Sequence, residues 1–334
     1  MKVLYINTAP PPNMPGTEAI EKEILALRES YDGDRIDLYP FKRPVPYLPP
    51  QVIGLQSIFR LKKLDSQVDL HHVFSPGLYR YPFLRFLRHP VVFSVAAGMH
   101  TGAQRNKWLK IHIVVGSQRD LDIAQSIGID SASLIRPGID TSLFVKSPMR
   151  LSGECTLLSA SAPWTLGQFN DKGFNLLFRV AAQMPDLRLV ILWRGLFYDV
   201  LLENIEKMGI GDRVTVINEY VDISAILPQV HGGIILASRH DILRAFPHSM
   251  MESLAAGKPV IISGTIPMAD YIHRHGCGCV IENHSVESLG TAIQQFIRNY
   301  PAISRNAMEI GGRDFDKKRM IDAYGEVYRE ALSL

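Results

Sequence analysis

Short apolar runs recur along the chain, separated by stretches with helical spacing. In the first half the runs are Val3–Ile6, Ile36–Tyr39, His72–Phe74, Val91–Val95, Ile111–Val115 and Ser133–Ile135. A second series follows at Thr156–Ser159, Leu187–Leu192, Val214–Ile217, Gly233–Ala237, Val260–Ile262 and Cys279–Ile281. Helical patterns lie at Glu18–Glu29, Leu84–Arg88 and Phe174–Ala182, and a long polar–apolar pattern ends the chain at Phe315–Leu332. Strands alternating with helices predict parallel sheets flanked by helices. The expected class is α/β, with two Rossmann-like, doubly wound domains facing a cleft. Ligands of such sheets bind beyond the C-terminal ends of the strands.

The turn-rich, basic stretch Arg136–Arg150 separates the two series and reads as a linker. The expected division is 1–145 for an N-terminal domain and 146–315 for a C-terminal one. A terminal helix over 316–334 could cross back to the first. The prolines at 44, 46, 49 and 50 interrupt the first half as an irregular loop, without marking a boundary.

Phe246–Ser263, FPHSMMESLAAGKPVIIS, carries the most chemistry. Pro247 suits the first turn of a helix, where its missing N–H has no intrahelical partner to lose. Gly257 suits the left-handed position that ends it, Pro259 prevents continuation, and Val260–Ile262 is a short buried strand. Glu252 sits among Met250, Met251, Leu254 and Ala255, and a carboxylate on such a face needs a partner or a ligand. His248 and Ser249 share its face by i, i+3 and i+4 spacing. The N–H groups of that first turn, with the positive end of the helix dipole, form an anion site.

Length and composition change the picture in three places. With 334 residues, 46% of them hydrophobic and 21% charged, the chain suits two globular domains with full cores. Three cysteines at 155, 277 and 279 provide neither a disulfide framework nor zinc spacing, and read as reduced, half-buried thiols. The start of the chain reads as a first strand rather than a signal peptide, and no apolar stretch approaches a membrane span. The small net charge of +3 conceals a basic region, because residues 38–119 hold twelve Lys and Arg against two acids, Asp65 and Asp69. Such a region is either an ordinary solvated face or the seat of an anionic partner. Tyr79–Arg88 interleaves aromatics with arginines, which suits a membrane interface or a helix packed on the sheet with its arginines outward.

The Phe246–Ser263 segment resembles the signature of the retaining, nucleotide-sugar-dependent glycosyltransferases of the GT-B fold, family 4. In that family an acid is followed, after seven intervening residues, by a glutamate, then small residues, a glycine and Pro-Val; Glu252, Gly257 and Pro259-Val260 match. Three further segments fall in register. Thr8–Pro12 with Gly16 is similar to the opening strand and glycine loop. LIRPGIDTSLF, over 134–144, is similar to the linker, and Asp171-Lys172-Gly173 to the lysine–glycine unit before a helix and strand.

The resemblance implies a transferase, of the hexosyltransferase class, moving sugar from a nucleotide diphosphate donor with no metal or other cofactor. Lys172 would reach the diphosphate as a point charge, Phe246, Pro247, His248 and Ser249 would line the donor site, and Glu252 would hold the ribose hydroxyls. Gly16 would let backbone approach the donor. The family's first acid has no direct counterpart: ungapped alignment puts Arg244 there, and a three-residue insertion puts Asp241 there, after Ser238. The histidine that ends the fourth strand in the family is absent from Ala96-Ala97-Gly98, and His100, further along the loop, would be its substitute. No arginine occupies Ser159–Trp164, where the family places a second phosphate contact. These departures leave a second reading open, a catalytically degenerate protein that binds or joins a complex.

Asp32-Gly33-Asp34 mimics a metal-binding Asp-x-Asp but reads as a turn, and Walker-type and dinucleotide glycine motifs are absent from the sequence. Expected partners are a nucleotide-sugar donor, a glycan or lipid-linked acceptor and an anionic membrane surface touched peripherally, with no nucleic acid. The expected location is cytoplasmic, at the inner face of the membrane if the protein is peripheral.

Overall fold

The computed structural model describes residues 1–11, 19–41, 48–99, 111–193, 195–240 and 242–333. The apolar runs become two six-stranded sheets, parallel throughout. By internal contacts the chain divides into Met1–Gly138 with Lys317–Leu334, and Ile139–Asp316.

In the first unit the strands are β1 (Val3–Asn7), β2 (Gly33–Asp37), β3 (Leu70–Ser75), β4 (Val91–Val95), β5 (Ile111–Val115) and β6 (Ala132–Leu134), in the order β2-β1-β3-β4-β5-β6. Its helices are α1 (Ala19–Arg28), α2 (Ile58–Asp65), α3 (Gln118–Ser126) and, from the far end of the chain, α11 (Lys317–Ser333). Alternate residues of each strand point to opposite faces, and both faces are covered. Tyr5, Phe74, Val92 and Val114 pack on Ile24 of α1 and on Tyr324 and Tyr328 of α11. Leu4, Ile6, Val73, Phe93 and Ile113 pack on Leu61 of α2 and Ala124 of α3.

The second unit contains β7 (Cys155–Ser159), β8 (Leu187–Leu192), β9 (Val214–Ile217), β10 (Gly232–Ile235), β11 (Val260–Ser263) and β12 (Gly278–Ile281), in the order β12-β11-β10-β7-β8-β9. Its helices are α4 (Gln168–Asp171), α5 (Phe174–Gln183), α6 (Tyr198–Lys207), α7 (Ile223–Ile226), α8 (His248–Ala255), α9 (Met268–His275) and α10 (Val286–Asp314). Leu157, Ile191, Ile234 and Ile261 meet Phe174 and Phe178 of α5 and Phe296 of α10 on one face. Ile235, Val260 and Ile262 meet Met250, Met251 and Leu254 of α8 on the other. Each unit is therefore doubly wound, as the alternation predicts.

Three local readings change. Gly33 and Asp34 are not a turn: they begin β2, pairing with Val3 and Leu4, and Asp34 forms an ion pair with Lys2 at 3.5 Å. The chain at Leu84–Arg88 is no α-helix but the end of a single 3-10 turn over Pro82–Phe86, started by Pro82 and too short to form an α-helical face. All three cysteines are buried rather than half-buried, and burial pushes each thiol well above its usual range.

Candidate active site

Doubly wound sheets bind ligands where the strand order reverses. In the second unit that point lies between β7 and β10, since the chain runs from β7 outward to β8 and β9 and then returns to β10 on the other side. Lys172 is the C-cap of α4, in the segment that follows β7. Gly173 follows with φ +67° and is the N-cap of α5. A Cβ at Gly173 would come within 2.6 Å of the Leu236 side chain, just past the end of β10, so a left-handed residue without a side chain is required there.

The segment after β10 is fastened on two sides. Ser238 donates through its N–H to Asp171 O at 2.8 Å and through Oγ to Asp171 Oδ1 at 3.0 Å. On the β11 side, Ala237 N–H donates to Ser263 Oγ at 3.0 Å, and Thr265 Oγ1 donates to Ala237 O at 2.7 Å. These bonds bring the lysine turn, the end of β10 and the end of β11 to one edge of the sheet. Nothing in the sequence links Asp171 to a residue 67 positions away, and pattern reading missed its role. Lys172 is itself buried, with Nζ donating to Ala162 O at 2.6 Å, in the segment after β7 that lacks the family's arginine.

The helix expected after Pro247 is α8. Pro247 stands one position earlier than expected: with ψ 131° it is the N-cap, and its carbonyl accepts from Met250 and Met251 N–H at 3.0 and 3.2 Å. The N–H groups of His248 and Ser249 therefore precede the first intrahelical bond. Both residues are half-buried, whereas Glu252, one turn further, is 7% exposed. The end of α8 is as predicted. Gly257 has φ +73°, its N–H donates to Leu254 O at 2.9 Å, and Lys258 N–H donates to Ser253 O at 2.8 Å, the paired bonds of a Schellman ending.

Phe246 turns its ring into the core, within 6.2 Å of Tyr271 and 6.1 Å of Phe315 between centroids, so only its backbone could meet a donor. Arg244 is half-buried in the approach to α8. Asp241, its rival for the first acidic position, lies outside the described residues, as do Gly16 and His100.

In the first unit the strand order reverses between β1 and β3, and buried polar groups gather there. Thr8 Oγ1 donates to Phe74 O at 3.0 Å and lies 2.9 Å from Tyr81 Oη, and Ser75 Oγ is 2.8 Å from the same phenol. These bonds hold together the ends of β1 and β3.

Residues 165–315 match the family model described as glycosyl transferases group 1, a span that contains Lys172, α8 and Glu252. No curated protein sequence matches the chain. Among solved structures, it is similar to Anabaena Alr3699/HepE in complex with UDP and glucose, with a TM-score of 0.76 and 16% identity over 99% of this chain and 100% of that one. A glycosyltransferase from Rickettsia africae gives 0.75 at 14% identity, covering 99% and 98%. WaaG, a glycosyltransferase involved in lipopolysaccharide biosynthesis, gives 0.69 at 14%, covering 97% and 99%. The fold is that of the GT-B glycosyltransferases, and the second unit carries the sequence pattern of glycosyl transferases group 1.

Proposed function

We propose that the protein is a retaining glycosyltransferase of family 4, transferring a hexose from a nucleotide diphosphate sugar to a glycan or lipid-linked acceptor in the cytoplasm. The observation that carries this reading is the meeting of the lysine turn with the ends of β10 and β11 at the strand-order reversal, inside the 165–315 match. The UDP and glucose in the HepE structure support a donor of this kind.

In this reading the donor diphosphate lies between Lys172 and the start of α8. The Lys172 amine exchanges Ala162 O for a phosphate oxygen, a charge-assisted bond stronger than the one it leaves. The His248 and Ser249 N–H groups and the α8 dipole add fixed positive character where charge builds on the departing diphosphate. Glu252 accepts from the ribose hydroxyls. At the reacting sugar, Asp241 keeps the acceptor chemistry of the family's first acid. Arg244, if it occupies that place, meets the phosphates instead. Gly16 and His100 keep the donor and sugar roles that the resemblance implies, and the reaction needs no metal.

Titration with nucleoside diphosphates, followed by thermal stability and calorimetry, tests the donor site. Binding is expected, and Glu252→Ala or Lys172→Ala should each weaken it about tenfold or more, the loss of one or two charge-assisted bonds. Absence of binding at millimolar nucleotide would overturn the proposal. A second reading, a binding protein without turnover, is favoured by the missing arginine at Ser159–Trp164 and by Lys172 being bonded within that same segment. Release of sugar from a panel of nucleotide sugars separates the two readings: nucleotide binding without release would establish the second.

A further inference from the structure

The least expected feature outside the nucleotide site is Phe59, which is 88% exposed on the first turn of α2. A single exposed aromatic is ordinary, but this one has other exposed apolar residues close by in the chain. Val52 and Leu55, on the two 3-10 turns that precede α2, are 41% and 47% exposed. On the same face of α2 come Lys62 and Lys63, three and four residues after Phe59, both exposed. Beside them Phe86 of the Pro82–Phe86 turn is partly exposed, with Lys62 Nζ 4.8 Å from its ring centroid.

The acid of this helix is withdrawn from the face. Asp65 is buried, its Oδ1 accepting from Arg88 N–H at 2.9 Å and lying 2.8 Å from His71 Nε2. Those two bonds tie the end of α2 to β3 and to the segment after Phe86, so the two exposed aromatics sit on one braced surface. The described stretch 48–99 has only one other acid, Asp69, just before β3, which accepts from Lys2 N–H.

We infer that this face docks onto a bilayer containing anionic phospholipid, with Phe59, Leu55 and Val52 entering the headgroup boundary and Lys62 and Lys63 meeting the phosphates. An apolar centre flanked by cations, with its one acid turned inward, is complementary to such a surface. A dissolved polyanion would use the lysines but leave Phe59, Leu55 and Val52 in water. Among the described residues no helix is long and apolar enough to cross a membrane, so contact through them would be peripheral. The inference deepens the proposed transfer to a lipid-linked acceptor, but it stands on a surface of the first unit and is tested apart from nucleotide binding.

The experiment is co-sedimentation of the full chain with vesicles of phosphatidylcholine alone and of phosphatidylcholine mixed with phosphatidylglycerol, at low and high salt. The protein should pellet with the anionic vesicles only, and less at high salt. Phe59→Ser should weaken that binding about tenfold, the worth of one buried phenylalanine, at both salt levels. Lys62→Gln with Lys63→Gln should weaken it chiefly at low salt, and neither variant should change the melting temperature or the shift caused by nucleotide. Three results would each overturn the inference. One is a wild-type protein left in the supernatant with anionic vesicles. Another is a Phe59→Ser protein that binds them as wild type does. The third is a Phe59→Ser exchange that turns a dimer into a monomer on gel filtration, which would make this face a contact between copies.

Discussion

At the scale of single residues, the two glycines that bracket the site elements are the clearest links between sequence and geometry. Gly257 was legible because a glycine before Lys-Pro at the end of an apolar helix has few other uses. Gly173 was legible only as part of a lysine–glycine pair, and its physical reason appears in three dimensions. Its φ of +67° and the Leu236 side chain, 2.6 Å from where a Cβ would stand, both exclude a side chain. Gly173→Ala should therefore destabilise the second unit by about 1–3 kcal/mol, as measured by urea unfolding. It should also weaken nucleotide binding, since the neighbouring Lys172 would shift. Wild-type stability in that variant would show that the turn relaxes at no cost. Lys258 was not legible at all. It stands between Gly257 and Pro259, which end the helix, and it is fully buried, with Nζ donating to Ser147 O at 2.6 Å. Burial lowers its pKa to about 8. A lysine's long stem can follow either course, and sequence spacing carries no record of which carbonyl waits at its end.

At the scale of elements, strands were read within about two residues wherever they were continuous apolar runs. β2 was displaced because an edge strand needs no apolar run, and Gly33-Asp34-Arg35 pairs through backbone alone. The terminal helix was legible as a helix, but not its polar seam. His72 of β3 lies with Nδ1 2.6 Å from Tyr328 Oη of α11 and Nε2 2.7 Å from Ser94 Oγ of β4. Ser94 in turn lies 2.8 Å from Tyr324 Oη. A neutral imidazole offers one donor and one acceptor, and a hydroxyl can take either complementary role. Burial accordingly pushes the His72 pKa down, from 6.5 to about 3. Below pH 6.5 the unfolded chain takes up a proton that the folded one refuses until about pH 3, so stability is complete above that window and declines as pH falls through it. The slope for this one group approaches ~1.4 kcal/mol per pH unit. His71 and His112 of the same unit are lowered by burial too and act in the same direction. Urea unfolding from neutral pH down to about pH 4 should show this decline, and His72→Gln should be less stable at neutral pH yet flatter across the range. Tyr328→Phe removes the partner of Nδ1 and should cost about 1–3 kcal/mol. A His72→Gln protein with an unchanged slope would assign the acid sensitivity elsewhere.

At the scale of the whole molecule, the chain builds its first unit from both ends and its second from the middle. The last helix therefore belongs to the unit that its sequence neighbours do not. Met320, Ile321, Tyr324, Val327, Tyr328 and Ala331 of α11 are buried against the first sheet and α1, next to Val3, Tyr5 and Phe74. At roughly 1.5–3 kcal/mol for each large apolar side chain, their removal forfeits on the order of 10 kcal/mol, as much as the whole stability of an ordinary domain. The second unit retains its own core around α5, α8 and α10, and the proposed nucleotide site is built within it. These two facts predict an outcome that a single cooperative core would not give. In calorimetry, added nucleoside diphosphate should raise the transition of the second unit by mass action. A chain ending at residue 316 should lose the transition of the first unit and keep a nucleotide-dependent one. Loss of both transitions in the shortened chain would mean that the second unit depends on the first to fold. A nucleotide shift confined to the transition that disappears would move the donor site out of the second unit, and with it the roles assigned to Lys172 and Glu252.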